Sequence, residues 1–260
     1  MNPSSFHAAI VAAVVLSACA TNDQLSLVAD ADQQSLTRNG VQALISKKKH
    51  LVMLRPSAKT VRSNGRPSFV VAMRNMGNAS LEFRIADIRA QSAAENGKAV
   101  ALRIYSYEQL VQEAEDQRNT QLVLAGLAGA ANAMAAANAG YVRSTGSYSG
   151  RSYGVSPQSF SGTYTASTYD PYRAQAAQRA ANAETAANFA AIEAQGEQNL
   201  AMLESTIIKD HTLLPGEWFG GSIVLDTPPK SEAGRSEYLI VIGLGGDDHA
   251  FRVSQTAAGS

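Results

Sequence analysis

The sequence is poor in the residues that carry most enzyme chemistry. One cysteine in 260 residues excludes an internal disulfide and a thiolate zinc cage. The four histidines, His7, His50, His211 and His249, form no HExxH or i, i+4 pair. Lys+Arg and Asp+Glu both number 22, so there is no positive surplus for binding phosphate, and nucleic acid is not the expected partner. There is no Walker loop. Gly243-Leu244-Gly245-Gly246 lies between two strand patterns with no helix after it, which excludes a dinucleotide fingerprint. Nothing in the pattern calls for a cofactor. The length suits one large or two small domains.

Met1 to His7 contains no Lys or Arg, and the apolar run Ala8 to Ala18 follows it. Eleven apolar residues are too few to span a bilayer but suit the core of a signal peptide. The run ends in Leu16-Ser17-Ala18-Cys19. This tetrad resembles the lipobox of bacterial lipoproteins. The resemblance implies removal of residues 1–18, diacylation of the Cys19 sulfur and acylation of the new amine. The residue types suit that chemistry, because small residues admit a peptidase and a thiolate is the nucleophile that takes the lipid. Two or three acyl chains anchor stably where one does not. Ala20 and Thr21 follow in place of aspartate, which by resemblance to enterobacterial sorting implies the outer membrane, with the globular part in the periplasm or at the surface.

Residues 19–40 read as a lipidated polar tether. From Val41 the pattern turns β-rich. Val41 to Ile45 is a short strand or helix, and His50 to Leu54 and Ser68 to Arg74 are strand candidates. Ser80 to Ala90 alternates, with a slip near Asp87-Ile88 that predicts a bulge. Val100 to Tyr105 closes this first set, residues 41–106. A second set, 209–255, holds Ser222 to Asp226, Tyr238 to Gly243 and Ala250 to Val253, ahead of a disordered tail at 256–260. Seven or eight short strands suit a β-sandwich.

Between the sets the composition changes. Residues 107–139 and 171–208 read as helices, and Ala supplies nine of the nineteen residues from Gln121 to Ala139. Asp170 is the candidate N-cap of the second helix, with Pro171 in its first turn. Phe189, Ile192, Gly196, Leu200, Leu203 and Ile207 step by three and four as one seam. In the first helix Leu110, Ala114, Gln117, Leu124, Leu127, Ala131 and Met134 make a looser seam. Together they predict an antiparallel helical hairpin whose arms extend roughly 50 Å at the usual helical rise. Residues 140–170 hold five Tyr, eight Ser, five Gly and four Thr, and so read as a disordered low-complexity loop. Its tyrosines, Tyr141, Tyr148, Tyr153, Tyr164 and Tyr169, are candidates for partner contact, because tyrosine offers large area at low entropic cost.

The stretches SFVVAMRNMGNASLEFRIADIRA (68–90) and LLPGEWFGGSIVLD (213–226) resemble immunoglobulin-like domains of envelope lipoproteins. The resemblance implies a fold and a compartment, with no catalytic residues to transfer. The expected fold is therefore α+β, an immunoglobulin-like β-sandwich built from two sequence-distant strand sets with a long Ala-rich antiparallel helical hairpin between them.

The remaining motifs are weak. Gly150-Arg151-Ser152-Tyr153-Gly154 matches the hydrolase elbow but lies in the Ser/Gly-rich loop, without the strand and helix that expose the serine. Asp247-Asp248-His249 has metal-ligand chemistry but reads better as a solvated turn. Trp218-Phe219 is a core plug or a surface contact. The neutral total hides an imbalance. Lys47 to Arg103 carries twelve basic and three acidic residues, and Ile104 onward carries nine basic and sixteen acidic. This predicts attraction between the two strand sets. Lys47-Lys48-Lys49 is the densest basic cluster, either a guard on a strand edge or a patch that meets anionic headgroups. Asn119 to Val142 is uncharged over 24 residues, long enough to enter a bilayer, although alanine is barely apolar and Asn132 and Asn138 are costly there.

The expected function is non-enzymatic: a membrane-anchored envelope lipoprotein whose helical hairpin and Tyr-rich loop contact an envelope protein or a second copy. The alternative is a membrane-active or secretion-related oligomer whose uncharged hairpin enters a bilayer.

Overall fold

A computed structural model describes residues 21–38, 40–93, 99–154, 156, 158–230 and 235–257. The signal segment and the lipobox, Leu16, Ser17, Ala18 and Cys19, lie outside the described residues, as do 258–260. The chain is α+β, with antiparallel sheets and two long helices. In order it runs β1 (Asn22–Val28), β2 (Gln33–Arg38), β3 (Val41–Lys47), β4 (Leu51–Pro56), β5 (Thr60–Arg62), β6 (Ser68–Arg74), β7 (Leu81–Phe83), β8 (Ile88–Ala93), β9 (Ala99–Leu102) and β10 (Ile104–Tyr105). Then come α1 (Tyr107–Asn138), β11 (Tyr141–Arg151), β12 (Ser159–Tyr169), α2 (Pro171–Thr206), β13 (His211–Leu213), β14 (Trp218–Leu225), β15 (Ser236–Leu244) and β16 (Asp247–Ala257). Residues up to Ser106, together with those from Ile208, form one compact unit, and Tyr107–Ile207 form a second.

The first unit holds two six-stranded sheets, ordered β5-β1-β16-β15-β8-β9 and β10-β14-β6-β4-β3-β2, with β7–β13 as a separate pair. Each inner face follows the period of two that a half-buried strand requires. In β6, Phe69, Val71 and Met73 are buried; in β15, Tyr238, Ile240 and Ile242 are. Both inner faces contribute to one apolar core, and Phe69 meets Tyr238 edge-on at 6.2 Å. Strands from before and after the second unit alternate within both sheets. β15 and β16 lie between β1 and β8, and β14 lies between β10 and β6.

Several expectations change. The segment read as a tether forms β1 and β2. β1 pairs with both β16 and β5 and buries Leu25 and Leu27. Its inward residues are Asp23, Leu25 and Leu27, so a buried aspartate conceals the alternation. Thr256 and Ala257, expected in a disordered tail, complete β16 opposite Gln24 and Asp23. The expected bulge is a 3-10 turn, Ile85–Asp87. The strand read over 100–105 divides between the sheets, with β9 on β8 and β10 on β14.

In the second unit α1 and α2 pack antiparallel. Gly126 faces Phe189, Gly129 faces Thr185, and Gly196 faces Arg118, which pairs with Glu193 at 3.9 Å. Asp170 caps α2 by accepting from the amides of Tyr172 (2.9 Å) and Arg173 (3.2 Å), with Pro171 following. Every position of the α2 seam, Phe189 to Ile207, is withdrawn from solvent. The expected α1 seam holds only at its start, where Leu110 is buried and Ala114 half-buried; Gln117, Leu124, Leu127, Ala131 and Met134 face solvent. The larger α2 side chains need notches opposite them, so α1 turns Gly126 and Gly129 inward and Leu124 and Leu127 outward.

Candidate functional site

Residues 140–170, expected as a disordered loop, form the β11–β12 ribbon. Eleven consecutive pairs run from Tyr141↔Tyr169 to Arg151↔Ser159. Thr and Tyr favour extended backbone, and their alternation with small residues decides the outcome where bulk composition suggested disorder. The Asp170 amide donates to the Gly140 carbonyl at 2.7 Å and closes the base. At the tip the Ser152 amide donates to the Gln158 carbonyl at 2.8 Å, and the Gln158 amide donates to Ser152 Oγ at 3.1 Å.

The two faces of the ribbon differ. One carries Tyr148 opposite Gly162, Tyr164 opposite Gly146, and Phe160 opposite Gly150. Each ring lies over its facing glycine so closely that a Cβ there would overlap it. Val142 with Thr168 and Ser144 with Ala166 complete this uncharged face. The other face is a ladder of serines and threonines, Thr145↔Thr165, Ser147↔Thr163 and Ser149↔Ser161, flanked by Arg143 and Arg151. Tyr141 and Tyr169 meet at its base, their rings 5.1 Å apart and inclined by 59°. All five tyrosines and Phe160 are exposed, Tyr153 at the tip by 94%. No described residue from 141 to 169 is buried.

The other candidates disperse. Ser152 belongs to the ribbon tip, where its hydroxyl bonds Gln158. Asp248 holds Arg89 through both carboxylate oxygens (2.9 and 2.8 Å), Asp247 accepts from the Lys49 amide, and His249 turns inward to Ser46 Oγ at 3.0 Å. These three do not converge on one point. A depression of about 610 Å³ beside them is lined by charges of both signs that pair with one another, including Arg84–Asp87 and Arg89–Asp248. Lys47 ends β3 and Lys48 and Lys49 form the turn into β4, all three exposed, and Lys48 Nζ donates to the Asp248 carbonyl at 2.7 Å. This corrects the strand-edge reading, because the edge of that sheet is β2. Phe219 packs against the core and stacks on His211 at 4.0 Å, while Trp218 stays exposed beneath Arg74. His211 Nε2 lies 3.1 Å from the Glu217 carboxylate. The Leu214 amide and His211 together hold Glu217 below the usual carboxylate range.

Sequence reasoning missed a buried polar layer. His50 Nδ1 accepts from the Met76 amide at 3.2 Å. His249 lies on Ser46, and both imidazoles are almost fully enclosed. Burial, with Lys49 beside His50 and Lys48 beside His249, holds both below the usual histidine range. Their separation in sequence, 50 against 249, left no local signal.

No family model, curated protein or solved structure matches this chain.

Proposed function

We propose that this protein is a non-enzymatic envelope lipoprotein, anchored through acylated Cys19, that acts as a structural or protein-interaction element. Its contact surface is the helical hairpin with its ribbon. The observation that carries this reading is the ribbon itself: six exposed aromatic side chains on a segment that buries no core of its own. Such a surface gains by being covered. The lipobox supports the anchor and the outer-membrane location. The dispersal of Ser152 and of Asp247, Asp248 and His249 supports a role without catalysis. The two sheets on a shared core, and the β6–β8 and β13–β14 stretches, support an immunoglobulin-like sandwich as the mount. The exposed turn Lys47–Lys49 is a second contact candidate, for anionic headgroups. The partner is an envelope protein or another copy, with no nucleic acid.

Two measurements test the reading. Labelled palmitate fed to expressing cells should enter the wild-type chain and not Cys19→Ala. A chain lacking 121–204 should remain anchored and folded, yet lose the partner recovered by crosslinking. Palmitate in Cys19→Ala, or unchanged crosslinking in the deletion, would contradict it.

A further inference from the structure

We infer that several copies of this chain join their β11–β12 ribbons edge to edge into one closed β-barrel that spans a bilayer, with the Ser/Thr face lining a water-filled lumen. This rests on the reading of the second unit as the contact element and names its partner as further copies of itself.

The ribbon is incomplete alone. Its outer edges have no strand partner among the described residues, and a lone two-stranded ribbon is marginal in water. Its charge is segregated. From Tyr141 to Tyr169 the only charged residues are Arg143 and Arg151, and the pairing puts both on the Ser/Thr face. The opposite face is uncharged and carries Val142, Tyr148, Phe160, Tyr164 and Ala166, together with Gly146, Gly150, Gly162, Ser144 and Thr168. One face holds both charges and the Ser/Thr ladder, the other holds no charge and its large side chains are Val142, Tyr148, Phe160 and Tyr164. This two-sided alternation is the pattern of a membrane barrel strand. The length agrees: eleven residues extend about 36 Å, and at the usual barrel tilt they rise roughly 28 Å, enough for an apolar band of about 25 Å. A bilayer tolerates no open strand edge, so the ribbons must close on one another. Each copy supplies an antiparallel pair, so the smallest barrel of about eight strands takes about four copies.

A separate feature of the same unit selects the same occupant. On the outer side of α1, Val123, Leu127, Ala130 and Met134 recur at intervals of four, three and four, the spacing of a coiled-coil seam. Val123 and Leu127 are each 64% exposed and Met134 is 70% exposed. Neighbouring copies brought side by side by the ribbons would cover that seam. The helices themselves are poor bilayer spans. α1 is the one described helix long and apolar enough to cross a membrane, but it packs on α2, which places Arg179 and Glu184 alongside its uncharged stretch and Glu193 against Arg118 at the start of it.

The test uses full-length protein extracted in detergent and reconstituted into phosphatidylcholine/phosphatidylglycerol vesicles and planar bilayers. Native mass spectrometry should give one closed oligomer of at least about four copies. Bilayers should show stepwise conductance with anion preference from the arginine rings. In a KCl gradient, Arg143→Glu with Arg151→Glu should keep the conductance and reverse the sign of the reversal potential. Tyr164→Asp, on the uncharged face, should cut the frequency of conductance steps at least tenfold. Leu127→Glu should shift the oligomer toward monomer. Trypsin should cut at Arg143 and Arg151 in free monomer and spare them in vesicles. A monomer or dimer in lipid, trypsin cleavage of the vesicle-bound ribbon, or a selectivity unchanged by the double reversal would each overturn the inference. Palmitate labelling of Cys19 is read on the same preparations. A labelled but non-conducting chain would reject the barrel and leave the lipoprotein reading standing.

Discussion

Asp23 is almost fully enclosed in β1, and its carboxylate is met from three directions. Ser63 Oγ donates at 2.5 Å, Gln255 Nε2 at 2.8 Å, and Lys230 Nζ lies at 3.0 Å. Burial opposes the charge, but the bonds from Gln255, Ser63 and Lys230 outweigh it and hold the carboxyl below the usual range. A carboxyl lowered by folding stabilises above its unfolded value near 3.9, and that stability is lost as pH falls through the lower folded value. Asp23→Ala should therefore cost about 1–3 kcal/mol at neutral pH and flatten the acid limb below about pH 4, read by urea unfolding. An equally steep acid limb in the variant would reject this. His50 and His249 act in a higher window. Their folded values are lowered, so the unfolded chain binds protons first as pH drops. Stability is complete above the unfolded value near 6.5 and declines below it. Melting temperature should fall between pH 7 and pH 5 in the wild type and change less in His50→Gln with His249→Gln. Equal slopes would show that the buried imidazoles do not drive the decline.

The two helices show what periodicity alone can reach. The α2 seam was legible because Phe189, Ile192, Leu200 and Leu203 are its large apolar residues and all lie on one stripe. The α1 seam departs from its periodicity beyond Ala114, because Leu124, Leu127 and Met134 face solvent. Two helices that approach over Gly126 and Gly129 select against bulk, and that requirement belongs to the pair. Gly129→Leu should therefore destabilise the hairpin, since a Cβ there meets Thr185 Cγ2 at 2.7 Å. Overpacking of this kind costs about 1–3 kcal/mol, more than the roughly 1 kcal/mol gained in helix propensity. Ala131→Leu, on the exposed side, should change stability by less than about 0.5 kcal/mol. Melts followed by helical circular dichroism separate the two; equal effects would mean that α1 packs through the other face. In the ribbon the missed signal was the matching of each aromatic to a cross-strand glycine, which exists only once the register is set.

For the molecule as a whole, interleaved strands make both ends of the chain necessary to each sheet. β10 pairs with β14 through Ile104↔Leu225, and the Ile208 amide donates to the Ser222 carbonyl at 3.0 Å, so both chain ends flanking the second unit are fixed in the first. Replacing 107–207 with a short Gly/Ser linker should leave a β-rich protein with one cooperative calorimetric transition. Loss of that transition would mean the first unit cannot fold alone. Arg89–Asp248 joins the basic early strands to the acidic late ones, but at the surface such a pair contributes little, and the shared core holds the sheets together. By itself the sequence determined the β-rich ends, the long alanine helices with the Asp170 cap, and the lipobox resemblance, because periodicity, capping and targeting motifs are local. Only the tertiary structure decided that Asp23 belongs in a strand, that α1 turns its glycines inward, and that a Tyr/Ser/Gly segment becomes a two-faced ribbon. Each of those outcomes depends on a partner far away in the chain or across a register, and the free energy of burial or pairing exists only when that partner is in place.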